Sequence, residues 1–472
     1  MHAAAAPGAS PFLELGELGF ATLEVWAGGW APPGLRREQA LNRLQALVKV
    51  ARTQSPFYAE LYRSVPADGA VNLADLPVVN KHALMDDVTA SLTDRSITRK
   101  ELDAFVADPG RVGELLRGQY AVWTSSGTSG EPGLFVHDRR ALAIYEALEA
   151  LRFRGLASFA DYGARVLAGE RFALVMVTGG HFASVANIEH MRQSFPWLSA
   201  SVAPFSLLTP LPELVAQLNA WGPTLLATYP TAAEVLAREQ EAGRLNLHLS
   251  EIWTGGEFLA DCVKTRLANV FACRVRNGYG ASEFLSIAAD CKNGALHVNS
   301  DWVLLEPVDA AGRPAPPGTP SHTTLLTNLA NRAQPLIRYD IGDSITALPP
   351  CGCGNNLPVI RVEGRHDDVL HLTGDRGGAI ELVPLVLTTV LEEDAGIYDF
   401  QITQTGARTL RIALGDASPA CKERVRVALT AWLAANGMHG VTLEVETTPP
   451  RRSATSGKLR RVVCAHEPAP VT

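Results

Sequence analysis

The sequence is poor in cysteine, in basic charge and in long apolar runs, and each shortage excludes a class of protein. Seven cysteines in 472 residues are too few for a disulfide-stapled scaffold. No apolar run reaches the roughly 18 residues of a membrane span, and the Ala-rich N-terminus lacks the cationic start and apolar core of a signal peptide. With a net charge of −7, the chain offers no basic face for nucleic acid.

The chain does contain enough apolar material for large cores. Hydrophobic residues make up 47% of the sequence and charged residues 19%, proportions typical of a globular protein. The length indicates two or three domains. We therefore expect a soluble cytoplasmic enzyme that binds neither nucleic acid nor membrane. Its oligomeric state stays open, with a homodimer as the candidate assembly.

The stretch 120–135, YAVWTSSGTSGEPGLF, is the feature around which the sequence is organised. Glycines let the backbone approach a ligand closely. Successive hydroxyl and N–H groups can then form a concave surface that suits phosphate oxygens. A Walker A loop requires a Lys that this stretch lacks. Taken alone, the stretch is equally compatible with a flexible Ser/Gly loop.

Downstream, apolar strands alternate with helices of ten or more residues, the pattern of βαβ units. Strands are predicted at 172–178, 224–229, 251–254 and 274–277, and helices at 212–221, 231–242 and 260–271. Ligands bind beyond the carboxyl ends of such strands. Three of these ends carry glycine pairs, at 178–180, 254–256 and 278–280. Their coincidence predicts one shared pocket.

The predicted fold class is α/β, with a large multi-sheet N-terminal domain and a small α+β C-terminal domain. The first domain spans 1–364 and contains βαβ units, with a Pro- and Gly-rich antiparallel subdomain at about 300–364. The second spans 365–472, roughly a hundred residues. The Ala-, Gly- and Pro-rich residues 1–35 are expected to form an irregular lead-in.

Five motifs occur in a fixed order along the chain. They are TSSGTSGEP at 124–132, NGYGASE at 277–283, PLIRYDIGD at 335–343, GRHDD at 364–368 and Gly-Lys at 457–458. Together they resemble the adenylate-forming enzymes, the superfamily of acyl-CoA synthetases, adenylation domains and luciferases, over about residues 50–465. Within it, the chain is most similar to the phenylacetate-CoA ligase branch, as is the early segment SPFYAELYR.

This resemblance implies that ATP activates a carboxylic acid as an acyl adenylate, which then passes to coenzyme A. Charge builds on phosphoryl oxygens during the first step, so preorganised donors and Mg²⁺ are expected to dominate catalysis. An amine, a hydroxyl or a carrier-protein thiol is the alternative acceptor. A nucleotide-binding regulator without catalysis is the alternative of a different class.

The resemblance also implies a role for each motif. The loop formed by Ser125, Ser126, Gly127, Thr128, Ser129 and Gly130 would hold the β- and γ-phosphates, with Thr128 among the catalytic residues. Tyr279 would stack on adenine. Around it, the nucleotide would be lined by Gly255, Gly256, Glu257, Asn277, Gly278, Gly280, Ala281 and Ser282.

Four further residues complete the implied site. Glu283 would hold Mg²⁺, Asp343 would accept hydrogen bonds from the ribose hydroxyls, and Arg365 would approach the ribose or phosphate. Lys458 would neutralise charge between the acid and the α-phosphate. In isolation, each residue type also has an ordinary structural explanation: a core aromatic for Tyr279, a cap for Glu283, a turn for Asp343 and a solvated charge for Lys458.

Lys458 is far in sequence from the phosphate loop. It can reach the α-phosphate only if the C-terminal domain closes over the pocket as a mobile lid. We therefore predict a domain-closure mechanism with Asp367 as the hinge, because hinges are a few terminal residues that absorb large φ/ψ changes.

A second group of residues has the chemistry of a metal site. It comprises Cys291, His297, Cys351 and Cys353. Three thiolates and an imidazole make a closed structural Zn²⁺ site, and some members of the phenylacetate-CoA ligase branch are similar in carrying Cys and His here. The C-x-C spacing is tighter than the usual C-x₂-C, so ordinary cysteines in a reducing cytosol remain the alternative.

The same resemblance predicts the acid pocket and favours an aromatic or small cyclic acid. Its candidate walls are Trp123, Tyr145, Thr178, Gly179, Gly180, His181, Phe182 and Tyr229. His181 would either contact a polar substituent of the acid or cap a loop. The chain departs from the family in the loop, which reads GEPG where relatives often carry GKPT, and at Asp340, where the branch tends to carry Arg.

Overall fold

The computed structural model describes residues 11–66, 71–125, 133–155, 164, 168–365, 370–382, 387–388, 390–416, 418–446, 448–452 and 459–465. Its α-helices are α1 (Pro11–Trp30), α2 (Pro33–Gln54), α3 (Pro56–Leu61), α4 (Lys81–Asp86), α5 (Val88–Ser91), α6 (Arg99–Val106), α7 (Arg139–Leu148), α8 (Ala183–Ser194), α9 (Leu211–Trp221), α10 (Pro230–Glu241), α11 (Asp261–Phe271) and α12 (Pro419–Ala435). Short 3₁₀ turns occupy Leu73–Asp75, Pro109–Arg111 and Pro196–Ala200, and π-helical turns occupy Glu149–Phe153 and Val390–Asp394.

The strands are β1 (Tyr120–Thr124), β2 (Leu134–Asp138), β3 (Phe172–Met176), β4 (Val202–Ser206), β5 (Leu225–Thr228), β6 (Glu251–Thr254), β7 (Arg274–Ala281), β8 (Phe284–Asp290), β9 (Leu296–Val298), β10 (Val303–Val308), β11 (Thr323–Asn328), β12 (Tyr339–Asp340), β13 (Asp343–Leu348), β14 (Val359–Arg365), β15 (Leu370–Thr373), β16 (Ala379–Leu382), β17 (Phe400–Gly406), β18 (Thr409–Leu414), β19 (Thr442–Val445) and β20 (Val462–Cys464).

A nine-stranded sheet of order β13-β14-β9-β8-β7-β6-β5-β3-β4 forms the centre of the structure. Strands β3 to β7 pair in parallel, as the βαβ pattern predicts, and the remaining pairs are antiparallel. Alternate residues of the parallel strands enter two different cores: Leu226 packs on one face and Leu225 on the other. Burial on both faces explains why these strands are continuously apolar.

The region 300–364 is antiparallel, as predicted, but it is divided between two sheets. Strands β10, β11 and β12 form a separate three-stranded sheet. Strands β13 and β14 instead extend the central sheet, where Asp343 pairs with Arg365. The central sheet therefore continues up to the predicted domain boundary at 364–365.

The C-terminal region has its own hydrophobic core. Four strands of order β19-β18-β17-β20 carry parallel and antiparallel pairs. Helix α12 covers them with Val425, Leu429 and Leu433, each nearly inaccessible. This mixture of a helix and a small mixed sheet agrees with the predicted α+β class. No helix in the described part of the chain has the length and hydropathy to cross a bilayer.

The prediction of an irregular lead-in at 1–35 is wrong. The 20-residue helix α1 occupies most of it and buries Ala21 and Val25 in the main core. Its ends are tied to α7 by ion pairs, among them Glu14 with Arg139 at 3.1 Å. This packing overrides the weak helix propensity of glycine, and Gly28 lets α1 approach Asp301 closely.

Substitution of two adjacent glycines of α1 tests this packing. A Cβ at Gly28 would lie 2.6 Å from Asp301 Oδ2, and that carboxylate is buried and held by Arg152 at 2.7 Å. Gly28→Ala should therefore lower the free energy of unfolding by about 1–3 kcal/mol. Gly29, with nothing within 4 Å of its Cβ position, is the matched control, and Gly29→Ala should stabilise by up to about 1 kcal/mol. Equal shifts in the urea midpoints of Gly28→Ala and Gly29→Ala would contradict this account.

Candidate functional site

The ends of β5 and β6 and the middle of β7 are adjacent in the central sheet, and glycines follow β6 and lie within β7. Thr228 pairs with Thr254, and Thr254 pairs with Asn277. A Cβ at Gly255 would lie 3.2 Å from the carbonyl oxygen of Gly278. The segment after β6 is therefore in close contact with strand β7. The structure thus brings together two of the three glycine-bearing segments that the sequence predicts to share a pocket, 254–256 and 278–280.

A polar cluster beside this edge joins three of the motifs. The Tyr279 hydroxyl donates to Asp343 Oδ2 at 2.6 Å. Arg365 Nη1 lies 3.5 Å from Asp343 Oδ1 and donates to the carbonyl of Ile341 at 3.3 Å. Gly342 has a φ of 70°, and a Cβ there would meet Arg365 Nη2 at 2.7 Å. The residues predicted to contact adenine, ribose and phosphate therefore form one bonded group.

Glu283 lies in the turn between β7 and β8, close to this cluster. Burial raises the pKa of Glu283 above its ordinary value, and the neighbouring Asp343 carboxylate adds to the rise. Burial raises the pKa of the Tyr339 hydroxyl well above its ordinary value, and the charge of the nearby Glu283 adds to the rise. Two neighbouring carboxyl groups repel when both are charged, and a hard divalent cation such as Mg²⁺ would relieve that repulsion with the oxygen ligands it prefers. The residues present therefore fit Mg²⁺.

Glu257 connects the central sheet region to the C-terminal region. Its Oε2 accepts hydrogen bonds from the Thr231 N–H at 3.1 Å and hydroxyl at 2.8 Å. Its Oε1 accepts one from the Leu459 N–H at 2.9 Å. Arg452 Nη1 donates to the Thr231 hydroxyl at 3.0 Å. The two regions thus meet at the residue that follows position 458.

Several predicted residues lie outside the described part of the chain. They are Ser126, Gly127, Thr128, Ser129, Gly130, Asp367 and Lys458. Ser125 is described, and its hydroxyl accepts a hydrogen bond from the Gly133 N–H at 2.9 Å. The Ser125 N–H also donates to the Gly133 carbonyl at 2.9 Å. These bonds join the described residues on either side of positions 126–132.

Two candidate walls of the acid pocket, Trp123 and Tyr145, are core residues with 1% and 0% exposure. The Trp123 ring lies 4.2 Å from the imidazole of His137, and burial lowers the pKa of His137 to about 3. Tyr145 shares its hydroxyl with His137 and Asn328. The sequence-based prediction did not include His137 or Asn328. Each is a polar residue in a buried strand, and that pattern is a signal that could have found it.

The other candidate walls lie around the loop after β3. His181 Nε2 hydrogen-bonds to the carbonyl of Asp108 at 3.1 Å. This contact corresponds to the alternative in which His181 caps a loop. Its backbone carbonyl accepts from the Thr124 N–H at 2.8 Å. A Cβ at Gly180 would meet the Phe182 ring at 2.8 Å. Thr178 and Gly179 precede this contact, and Tyr229, 5% exposed, precedes α10.

The four predicted zinc ligands converge, with their ligand atoms within 4.8 Å of one another. Cys291 Sγ and Cys351 Sγ are 3.7 Å apart, close to the roughly 3.8 Å that two 2.3 Å Zn–S bonds of a tetrahedral site give. Cys353 Sγ lies 3.4 Å from His297 Nε2. His297 Nδ1 bonds to the carbonyl of Leu357 at 3.1 Å, which leaves Nε2 as the ligand atom. The donor set fits Zn²⁺.

Comparisons with known proteins find likenesses that extend over most of the chain. No protein-family model matches the chain. Phenylacetate-coenzyme A ligase of Thermus thermophilus is 24% identical over 467 residues, covering 89% of this chain and 95% of that protein. Protein CapK of Staphylococcus aureus is 27% identical over 161 residues, 33% of this chain and 34% of that protein.

Among solved structures, 2-hydroxyisobutyryl-CoA ligase in its postadenylation state, in complex with R3-HIB-AMP, has a TM-score of 0.66 at 21% identity. The likeness covers 93% of this chain and 91% of that one. The same ligase in its thioesterification state gives a TM-score of 0.54. The chain is thus similar over most of its length to a phenylacetate-coenzyme A ligase and has the fold of 2-hydroxyisobutyryl-CoA ligase.

Proposed function

We propose that this protein is an AMP-forming ligase that joins an aromatic carboxylic acid to coenzyme A through an acyl adenylate. The observation that carries the proposal is the bonded group of Tyr279, Asp343 and Arg365 beside Glu283, at the carboxyl ends of the parallel strands. The likeness to phenylacetate-coenzyme A ligase extends over 89% of the chain and supports both the reaction and the acid class.

In the first half-reaction, a carboxylate oxygen of the acid attacks the α-phosphorus of ATP. A P–O bond forms, the bond to the β-phosphate oxygen breaks, and pyrophosphate leaves. Asp343 would accept from the ribose hydroxyls, with its carboxylate oriented by the Tyr279 hydroxyl. Glu283 would hold Mg²⁺, which supplies positive charge to the departing phosphates. Lys458 would neutralise the charge that gathers between the two reactants.

In the second half-reaction, the thiol sulfur of coenzyme A attacks the acyl carbon, and the C–O bond to the phosphate breaks. The products are the thioester and AMP, and the thiol proton is released. The bonds from Leu459 and Arg452 to the Glu257–Thr231 pair support assigning the arrangement seen here to the first half-reaction. The higher TM-score against the postadenylation state than against the thioesterification state supports the same assignment.

A screen of pyrophosphate release over aryl and alkyl acids, with and without coenzyme A, tests the function. We expect release that depends on an aryl acid, together with a thioester when coenzyme A is present. Release without thioester would replace coenzyme A by an amine, hydroxyl or carrier-protein thiol as the acceptor. Absence of release with every acid would favour a non-catalytic nucleotide-binding regulator.

The role of Lys458 can be tested by measuring the two half-reactions separately. Lys458→Ala should slow pyrophosphate release by about 10²–10³-fold, as loss of one charge-stabilising donor does elsewhere. It should spare transfer of a preformed acyl adenylate to coenzyme A. Arg426→Ala, which removes an exposed cation of the same region, is the control and should leave both rates unchanged. Exchange of pyrophosphate into ATP at the wild-type rate in Lys458→Ala would show that Lys458 is misassigned.

We further propose that the cysteine–histidine cluster holds one structural Zn²⁺ ion. The contacts among its four ligand atoms support this. Elemental analysis should find about one zinc per chain, and Cys351→Ser should lose most of it and lower the melting temperature, because structural zinc contributes to folding free energy. Cys273→Ser, outside the cluster, should retain the metal. Less than about a tenth of an equivalent in wild-type protein purified without chelator would reject the site.

A further inference from the structure

The hairpin that carries Glu283 has an uncommon turn. Ala281 pairs with Phe284, so the turn consists of Ser282 and Glu283. Two-residue hairpin turns favour types I′ and II′, which require positive φ at one or both central residues because only these match the twist of the strands. Neither Ser282 nor Glu283 is among the residues with positive φ. Groups outside the hairpin are therefore needed to hold this turn.

Three fully buried side chains supply that support, and we call them the turn clamp: His137, Tyr145 and Asn328, each 0% exposed. His137 Nε2 bonds to the carbonyl oxygen of Ser282 at 2.9 Å. Asn328 Nδ2 bonds to the carbonyl oxygen of Glu283 at 2.8 Å. The Tyr145 hydroxyl joins the two, at 3.1 Å from His137 Nδ1 and 2.8 Å from Asn328 Nδ2.

The direction of every bond in the clamp follows from donor chemistry. Carbonyl oxygens only accept, so His137 Nε2 and Asn328 Nδ2 both donate to the turn. A neutral imidazole then has Nδ1 as acceptor, so the Tyr145 hydroxyl donates to it and accepts from Asn328. The orientation of the Asn328 amide is fixed because its oxygen accepts from two backbone N–H groups, at 3.0 and 3.2 Å. The network is complete, and such networks are rigid.

We propose that the turn clamp positions the Glu283 carboxylate for Mg²⁺ bound with ATP. The two clamped carbonyls belong to the peptide groups on either side of the Glu283 Cα, so together they fix the direction of its Cα–Cβ bond. Partners that orient a metal ligand typically change metal affinity or activity by 10–100-fold when they are lost. The role of Glu283 in this proposal rests on the proposed function. The proposal assigns Tyr145 to the turn clamp instead of the acid pocket.

Tyr145→Phe tests the clamp because it removes one oxygen and both internal links. The affinity for Mn²⁺ in the presence of ATP, measured by electron paramagnetic resonance on the full chain, should fall by about 10-fold. The KM for the acid should stay at the wild-type value. Tyr58→Phe is the matched control, since Tyr58 is also 0% exposed and its hydroxyl accepts from the Ile337 N–H at 3.1 Å. It should leave Mn²⁺ affinity unchanged.

A conservative rescue separates positioning from simple loss of stability. His137→Gln keeps an N–H donor for Ser282 and an acceptor for Tyr145, so it should hold Mn²⁺ affinity within about threefold of wild type. His137→Leu should lose about as much as Tyr145→Phe. Unchanged Mn²⁺ affinity in Tyr145→Phe, a raised acid KM, or equal affinities in the two His137 variants would overturn the proposal.

The binding readout keeps this inference distinct from the proposed function. Mn²⁺ affinity is measured without turnover, so a clamp effect in a protein that releases no pyrophosphate would reject the ligase activity and retain the clamp. A wild-type protein that binds no Mn²⁺ with ATP would overturn the clamp, whatever its activity.

Discussion

Strand β7 pairs with a parallel strand on one side and an antiparallel strand on the other, and the position of the candidate site follows from this. Its first half pairs with β6, up to Asn277, and its second half pairs with β8. Because ligands bind beyond the carboxyl ends of parallel strands, the turn that follows β7 is already at the binding edge. Glu283 therefore lies near Asp343. Asp343 is the first residue of β13, the strand at the antiparallel edge of the central sheet.

The same hairpin is anchored far from its turn by buried charges. Arg276 on β7 contacts Asp290 on β8 at 3.1 Å, and Lys264 of α11 contacts the same carboxylate at 3.0 Å. A buried ion pair is weak evidence of net stability, but loss of one partner leaves a costly unpaired charge. Because Cys291 follows Asp290, these contacts also fix one ligand of the cysteine–histidine cluster. The hairpin is thus held at both ends.

The sequence predicts the parallel half of the fold well because its signal is local. The strand expected at 251–254 occupies those residues, and that at 224–229 is shortened to Leu225–Thr228. The prediction of an irregular segment at 1–35 is wrong because glycine and alanine content does not indicate the surface on which α1 packs. The partners of His137 were also beyond sequence reasoning, because Ser282 is 145 residues away.

Glu257 accepts one of several contacts that a movement of the C-terminal region would break, with the Arg452–Thr231 bond and the Arg238–Asp399 ion pair among the others. Its bond to Leu459 is one hydrogen bond to a charged acceptor, a contact that contributes only about 1.5–3 kcal/mol net because water can replace the donor. Its bonds to Thr231 lie within the N-terminal region and would survive departure of the C-terminal region. A shift of that size is within the reach of differential ligand binding. A ligand that binds one arrangement more tightly by this amount would offset the loss of the Glu257–Leu459 bond.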